Sequence, residues 1–186
     1  MKALQYHIPL ELDKSFIIFK EEGPFFPCPW HYHSEYELVL ANKSTGVRQV
    51  GDHIGYSMEG DLVLMGPSLP HLWTNDPQYF KGKANLTAEA TVIHFVENFL
   101  GKEFYNLPEI EPINNLLKLS KHGMVIRGKT RDKIAALMQE MQTMSGIQRL
   151  ASLLTIFDIL CASNEYELLA SPGYLKRGLL DCSDKF

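Results

Sequence analysis

Between His31 and Asn75 two short polar clusters are separated by strand-like sequence, and that spacing restricts the folds open to the chain more than any other feature. The first cluster reads His31-Tyr32-His33-Ser34-Glu35-Tyr36-Glu37. The second opens at Gly60-Asp61 and carries Pro67, His71 and Asn75. Such imidazoles and carboxylates form one pocket only if the strands that bear them pair or face each other. Residues two apart on a strand share a face, so His31, His33, Glu35 and Glu37 are expected to point one way. Two imidazoles and a carboxylate supply three ligands to a divalent ion, and His71 on a partner strand supplies a fourth. Zn, Ni, Fe, Mn and Cu all suit such a set; the alternative is a metal-free pocket whose histidines hydrogen-bond a ligand.

The surrounding sequence is strand-rich as far as residue 95. Runs at 16–19, 36–40, 47–50, 61–65 and 90–95 are β-branched or aromatic, and Gly, Pro, Asn and Asp punctuate them. Short strands with no helical pattern between them predict an antiparallel sandwich or barrel. The segment 23–29 holds Pro24, Pro27 and Pro29, lacks three ladder donors, and reads as an ordered loop leading into His31.

Beyond residue 95 the period changes. Ile110, Ile113, Leu116 and Leu117 share a helical face, and Gly123 stands where a C-terminal cap would. A short extended piece, 124–126, precedes Thr130, the expected N-cap of a second helix carrying Ile134, Leu137, Met138, Met141 and Met144. That methionine stripe reads as core. Ser145 starts a third helix, apolar on nearly every side, which implies that it is covered twice: by its own domain and by a second subunit. The expected organisation is therefore mainly β with an α annex: a β domain over 1–97, a helical dimerisation annex over 98–170, and a linker over 171–186.

With 186 residues and a net charge of −4, the chain offers no broad attraction to phosphate or anionic lipid. Four cations at Arg127, Lys129, Arg131 and Lys133 read as a solvated helix start. Cys28, Cys161 and Cys182 are odd in number and far apart, which argues for a reducing compartment and a cytoplasmic address. Cys28 has no sequence-adjacent base to activate it. No secretory leader or membrane span is expected from the sequence.

The pattern His-x-His-x-x-x-Glu, met at His31, His33 and Glu37, and Gly-x(10)-His-x-x-x-Asn, met at Gly60, His71 and Asn75, resembles the two motifs of the cupin superfamily. The resemblance implies a double-stranded β-helix (jelly-roll) barrel with His31, His33, Glu37 and His71 as metal ligands, and it selects Glu37 over Glu35. The turns depart from the pattern: Gly66-Pro67-Ser68 stands where Pro-x-Gly is usual, and Gly46 comes two residues late. Residues 30–38 and 60–73, with the tail at 165–169, look more narrowly like the N-terminal sensor domain of AraC-type transcriptional regulators. That likeness implies a small-molecule effector, often a sugar, in the barrel, a homodimer through the C-terminal helices, and DNA contact only through a further C-terminal domain. Trp30, Tyr32, Tyr36, Tyr56 and Trp73 cluster around the motifs and are the expected pocket rings. The same four ligand positions also resemble those of cupin dioxygenases and isomerases, so a metal-dependent enzyme is the rival expectation.

Overall fold

The computed structural model describes residues 2–9, 14–81 and 86–174. Its strands are β1 (Leu4–Gln5), β2 (Phe16–Gly23), β3 (His31–Tyr32), β4 (Tyr36–Lys43), β5 (Gly46–Val50), β6 (His53–Ser57), β7 (Leu62–Met65), β8 (His71–Asn75) and β9 (Ala88–Phe95), then α1 (Glu111–Leu119), β10 (Met124–Ile126), α2 (Gly128–Met141), α3 (Gly146–Cys161) and β11 (Tyr166–Leu168). Among the described residues they form a five-stranded sheet, β1-β3-β8-β5-β6, and a six-stranded sheet, β11-β10-β7-β4-β9-β2.

Alternation along the six-stranded sheet sorts its side chains onto two cores. Tyr36, Leu38, Leu40, Leu62, Leu64, Ile93 and Phe95 pack outward on the helices, against Ile113, Leu117, Ile134, Met138, Met141, Ile156 and Phe157. Val39, Val63, Met65, Ala90 and Val92 pack inward with Val50, Leu69 and Trp73. A sheet covered on both faces reads as a continuous apolar run, which is what Leu62-Val63-Leu64-Met65 shows. The five-stranded sheet has one face in solvent, so β5 and β6 alternate buried with exposed.

A closed barrel was expected; the two sheets instead face each other as a sandwich, with no ladder joining them among the described residues. The edge strand β2 runs into the segment 24–29, whose three prolines lack the N–H donors that a ladder to the other sheet would need. The expected single strand over 31–37 is also two strands. β3 pairs with β8, β4 pairs with β7 and β9, and residues 33–35 carry the chain from one sheet to the other.

The helices begin and end close to their sequence signals. Ser145 caps α3 in a capping box, with its backbone N–H donating to Gln148 Oε1 at 3.0 Å. Thr130 is not the start of α2: the helix opens two residues earlier at Gly128, and the Thr130 N–H donates to the Glu165 carboxylate at 2.8 Å. Gly123, at φ 68°, ends the turn that extends α1; a Cβ there would stand 2.7 Å from Val50 Cγ1. The piece 124–126 is strand β10, which adds to β7 and carries β11 on its other side. On α3, Leu153, Ile156, Phe157 and Leu160 are buried, whereas Ile147 is 74% exposed. No helix among the described residues is long and apolar enough to cross a membrane. The linker expected over 171–186, and Cys182 with it, lies outside the described residues from 175 onward.

Candidate metal and ligand site

The polar clusters meet between the sheets, and strand register decides how. His31 on β3 stands opposite His71 on β8, and Glu37 on β4 stands opposite His94 on β9. One pair comes from each sheet. His33 lies in the crossing segment between them, and all five side chains are buried. Glu37 is the hub: His33 Nε2 lies 2.9 Å from its Oε2, His94 Nε2 2.5 Å from the same oxygen, and His71 Nε2 3.8 Å from Oε1. The His31 and His71 rings meet edge-on with centroids 4.3 Å apart. Two overlapping sets, His31/His33/His71 and His33/Glu37/His94, each bring one ligand atom per residue within 4.8 Å of the others.

The backbone presets the imidazoles. Nδ1–H of His31 donates to the Pro29 carbonyl, and that of His71 to the Leu69 carbonyl, both at 2.8 Å; His33 Nδ1 meets the Glu35 carbonyl at 3.2 Å. In a neutral ring this places the lone pair on Nε2, as in metal-bound histidines. Burial lowers His71 to about 4 and pulls His31 down as well, so both are neutral at pH 7. Burial also opposes charge on His33, but its hydrogen bond to Glu37 and the charge of that carboxylate outweigh it and hold the imidazole above its usual range. Glu37 is fully buried, yet the surrounding His71, His33 and His94 hold its carboxyl well below the usual range. His71 Nε2 is buried without a hydrogen-bond partner among the described residues. A lone pair with no donor, beside a carboxylate and further imidazoles, is the environment a divalent cation satisfies, and this donor set fits Zn, Ni, Fe or Mn.

Sequence reasoning missed His94. Its signal was a histidine alternating with the apolar Val92 and Ala90 on one face of the strand, but only the β4–β9 register, across 57 positions, brings it to Glu37. Glu35 is buried with its carboxylate bonded by Ser34 Oγ at 2.9 Å, and it joins neither set. Asn75 plays a supporting part: its Oδ1 accepts the Phe26 N–H at 2.7 Å and its Nδ2 donates to Ser44 at 2.9 Å, which pins the proline-rich segment.

A cavity of about 490 Å³ opens beside the cluster. His31, His71, His94 and Glu37 line one end, and Tyr6, Phe19, Phe26, Cys28, Val39, Val92 and Trp73 line its body. Of the five expected pocket rings, Trp73 lines the cavity and the others do not. Tyr36 is corrected by parity: one residue from Glu37, it points to the opposite face and stacks on Phe95 at 5.0 Å in the helical core. Tyr56 is 56% exposed on the outer face of the five-stranded sheet and bonds Asp76. Trp30 and Tyr32 are half-buried, outside the lining. Burial pushes the Cys28 thiol up to about 11, with the charges of Glu21 and Glu37 adding to the rise, so it is a thiol and not a nucleophile at neutral pH.

No known family profile matches the sequence, and no curated protein matches it. Among solved structures, the AraC-like transcriptional activator CuxR is 10% identical and superposes with a TM-score of 0.51, covering 92% of this chain and 63% of that one. A cupin 2 conserved barrel domain protein from Rhodopseudomonas palustris is 14% identical, with a TM-score of 0.36 over 47% of this chain and 57% of that one. ToxT from Vibrio cholerae, solved with an unsaturated fatty acid bound, is 12% identical, with a TM-score of 0.44 over 78% and 50%. The chain thus spans less than two thirds of each of these proteins. The likeness to CuxR is one of fold and extends over nearly the whole chain.

Proposed function

We propose that this chain is the effector-binding and dimerisation domain of an AraC-type transcriptional regulator. The observation that carries the reading is the cavity between the sheets, apolar along its body and ending in four converging polar side chains, His31, Glu37, His71 and His94. The fold likeness to CuxR supports it. A small molecule enters the cavity, with sugars among the candidates. His31, His33, Glu37 and His71, joined by His94, hold a divalent ion, which supplies a Lewis-acid anchor for a donor atom of the ligand. The exposed side of α3 around Ile147 is the homodimer contact, and DNA is reached through a separate domain. Light scattering of the purified chain at tens of micromolar tests the dimer: twice the chain mass is expected, and Ile147→Glu should return a monomer. A wild-type chain that stays strictly monomeric contradicts this reading.

The rival, a metal-dependent cupin dioxygenase or isomerase, draws on one observation: the Glu37–His94 pair is a carboxylate–imidazole couple beside the remaining imidazoles. Turnover by the metal-loaded chain, lost in His33→Ala, would favour it. Ligand binding without turnover is what the sensor reading expects.

A further inference from the structure

The inward wall of the six-stranded sheet is a ladder of three rungs with a chemical gradient along it. The first rung is Ile17, His94 and Glu37; the second is Phe19, Val92 and Val39; the third is Glu21, Ala90 and Ala41. Same-face rungs are about 6.6 Å apart, so the outer two are separated by about 13 Å of strand. The cavity therefore has an imidazole end, an apolar waist completed by Phe26 and Trp73, and a far end where two alanines leave room beside the carboxylate of Glu21.

Glu21 is not explained by the fold. Among the described residues its carboxylate makes no hydrogen bond or salt bridge, although it is half-buried. Its neighbour Lys20 is taken up elsewhere, with Nζ 2.9 Å from Glu22 and 3.0 Å from Glu89. The charges lining the cavity are Glu21, Glu22, Glu37 and Lys20, and Lys20 is already spanned by two carboxylates. Among the described residues, Glu21 is thus the carboxylate at the far end that no cation pairs. Burial, with the charge of Glu37 adding to it, raises the Glu21 carboxyl above its usual value and outweighs the opposing pull of His94.

Building on the cavity as the effector site, we infer that the effector is an organic amine: an apolar body lying along Phe19, Val39, Val92 and Trp73, with an ammonium group seated on Glu21. A cation at that position supplies the partner the carboxylate lacks, and the alanines at positions 41 and 90 make space for it. Anionic ligands are disfavoured at this end, because the Glu21 carboxylate there has no paired cation among the described residues.

Calorimetric titration with three probes of equal chain length, n-octylamine, n-octanol and octanoate, tests the inference at pH 7.5 on the full chain. Octylamine should bind most tightly. Glu21→Gln should weaken octylamine by about 10–100-fold, the range for a hydrogen bond to a charged group, and leave octanol unchanged. Glu21→Lys should reverse the preference toward octanoate, an outcome that misfolding cannot imitate. If octylamine binds no better than octanol, or Glu21→Gln leaves it unaltered, the amine assignment is overturned while the cavity stands as a binding site. If none of the three binds, the amine assignment and the cavity as effector site fall together.

Discussion

The two faces of the six-stranded sheet are built from alternate residues of the same strands, yet they differ in kind. Outward, Tyr36, Leu38, Leu40, Ile93 and Phe95 form an apolar surface that the helices cover, with the buried Thr91 hydroxyl satisfied by Asn42 and Gln142. Inward, one residue along, Glu37, Val39, Ala41, Val92 and His94 leave a cavity and bury a carboxylate among imidazoles. Burial of the first kind stabilises by about 25 cal/mol per Å², whereas burying a charge costs unless it is partnered. The difference teaches that this sheet separates its tasks by parity: one face holds the fold, the other spends part of that stability on a site.

The hardest way to break the separation is to empty the helical side. Phe157 is almost fully buried and meets Phe95 edge-on at 5.4 Å. Phe157→Ala should cost about 3–5 kcal/mol in urea unfolding, while metal uptake per folded chain is unchanged. Loss of metal in proportion to stability would show that the faces are not separate. A cut of similar size tests the inward side away from the cavity, where the buried Arg48 guanidinium is bonded to Asp61. Asp61→Asn should destabilise by about 3 kcal/mol, because it leaves a buried cation short of its partner, and again without loss of the ion.

These faces were partly legible in the sequence. Alternation from Glu37 was sufficient to send Tyr36 to the helical side; grouping aromatics by their nearness to the motifs overrode that rule and put Tyr36 in the pocket. His31, His33, Glu37 and His71 were readable because short spacings on neighbouring strands limit where they can point. His94 was not, since its partner is set by a register that no local pattern encodes. Nor was the break between β3 and β4, where Ser34 and Glu35 carry no breaker signal although the chain changes sheets there. Thr130 looked like a cap by composition; the cap came instead from Glu165, supplied by tertiary contact.

A smaller perturbation sharpens the inward face. His94→Ala removes one member of the second ligand set and its 2.5 Å contact to Glu37, and should weaken metal affinity by at least about 10–100-fold, with His94→Gln recovering part of it. An unchanged affinity in both variants would remove His94 from the site. The smallest effect belongs to the helical side. Backbone and side-chain hydrogen bonds from Thr130 lower the pKa of Glu165. A carboxyl depressed on folding adds stability above its unfolded pKa, and that stability is lost as pH falls through the folded value. Chemical unfolding of Glu165→Gln should therefore differ slightly from wild type at pH 7, and the gap should close under acid; a gap that widens in acid contradicts the capping role.

In the proposed site the buried imidazoles and Glu37 surround a cation. Equilibrium titration of the purified, chelator-treated chain with Zn²⁺ tests it most directly, with bound metal measured by elemental analysis. About one bound ion per chain is expected, abolished by His33→Ala, which removes a member of both overlapping ligand sets. A chain that takes up no ion at micromolar Zn²⁺, or a His33→Ala variant that binds it as tightly as wild type, would rule out a cation at this cluster.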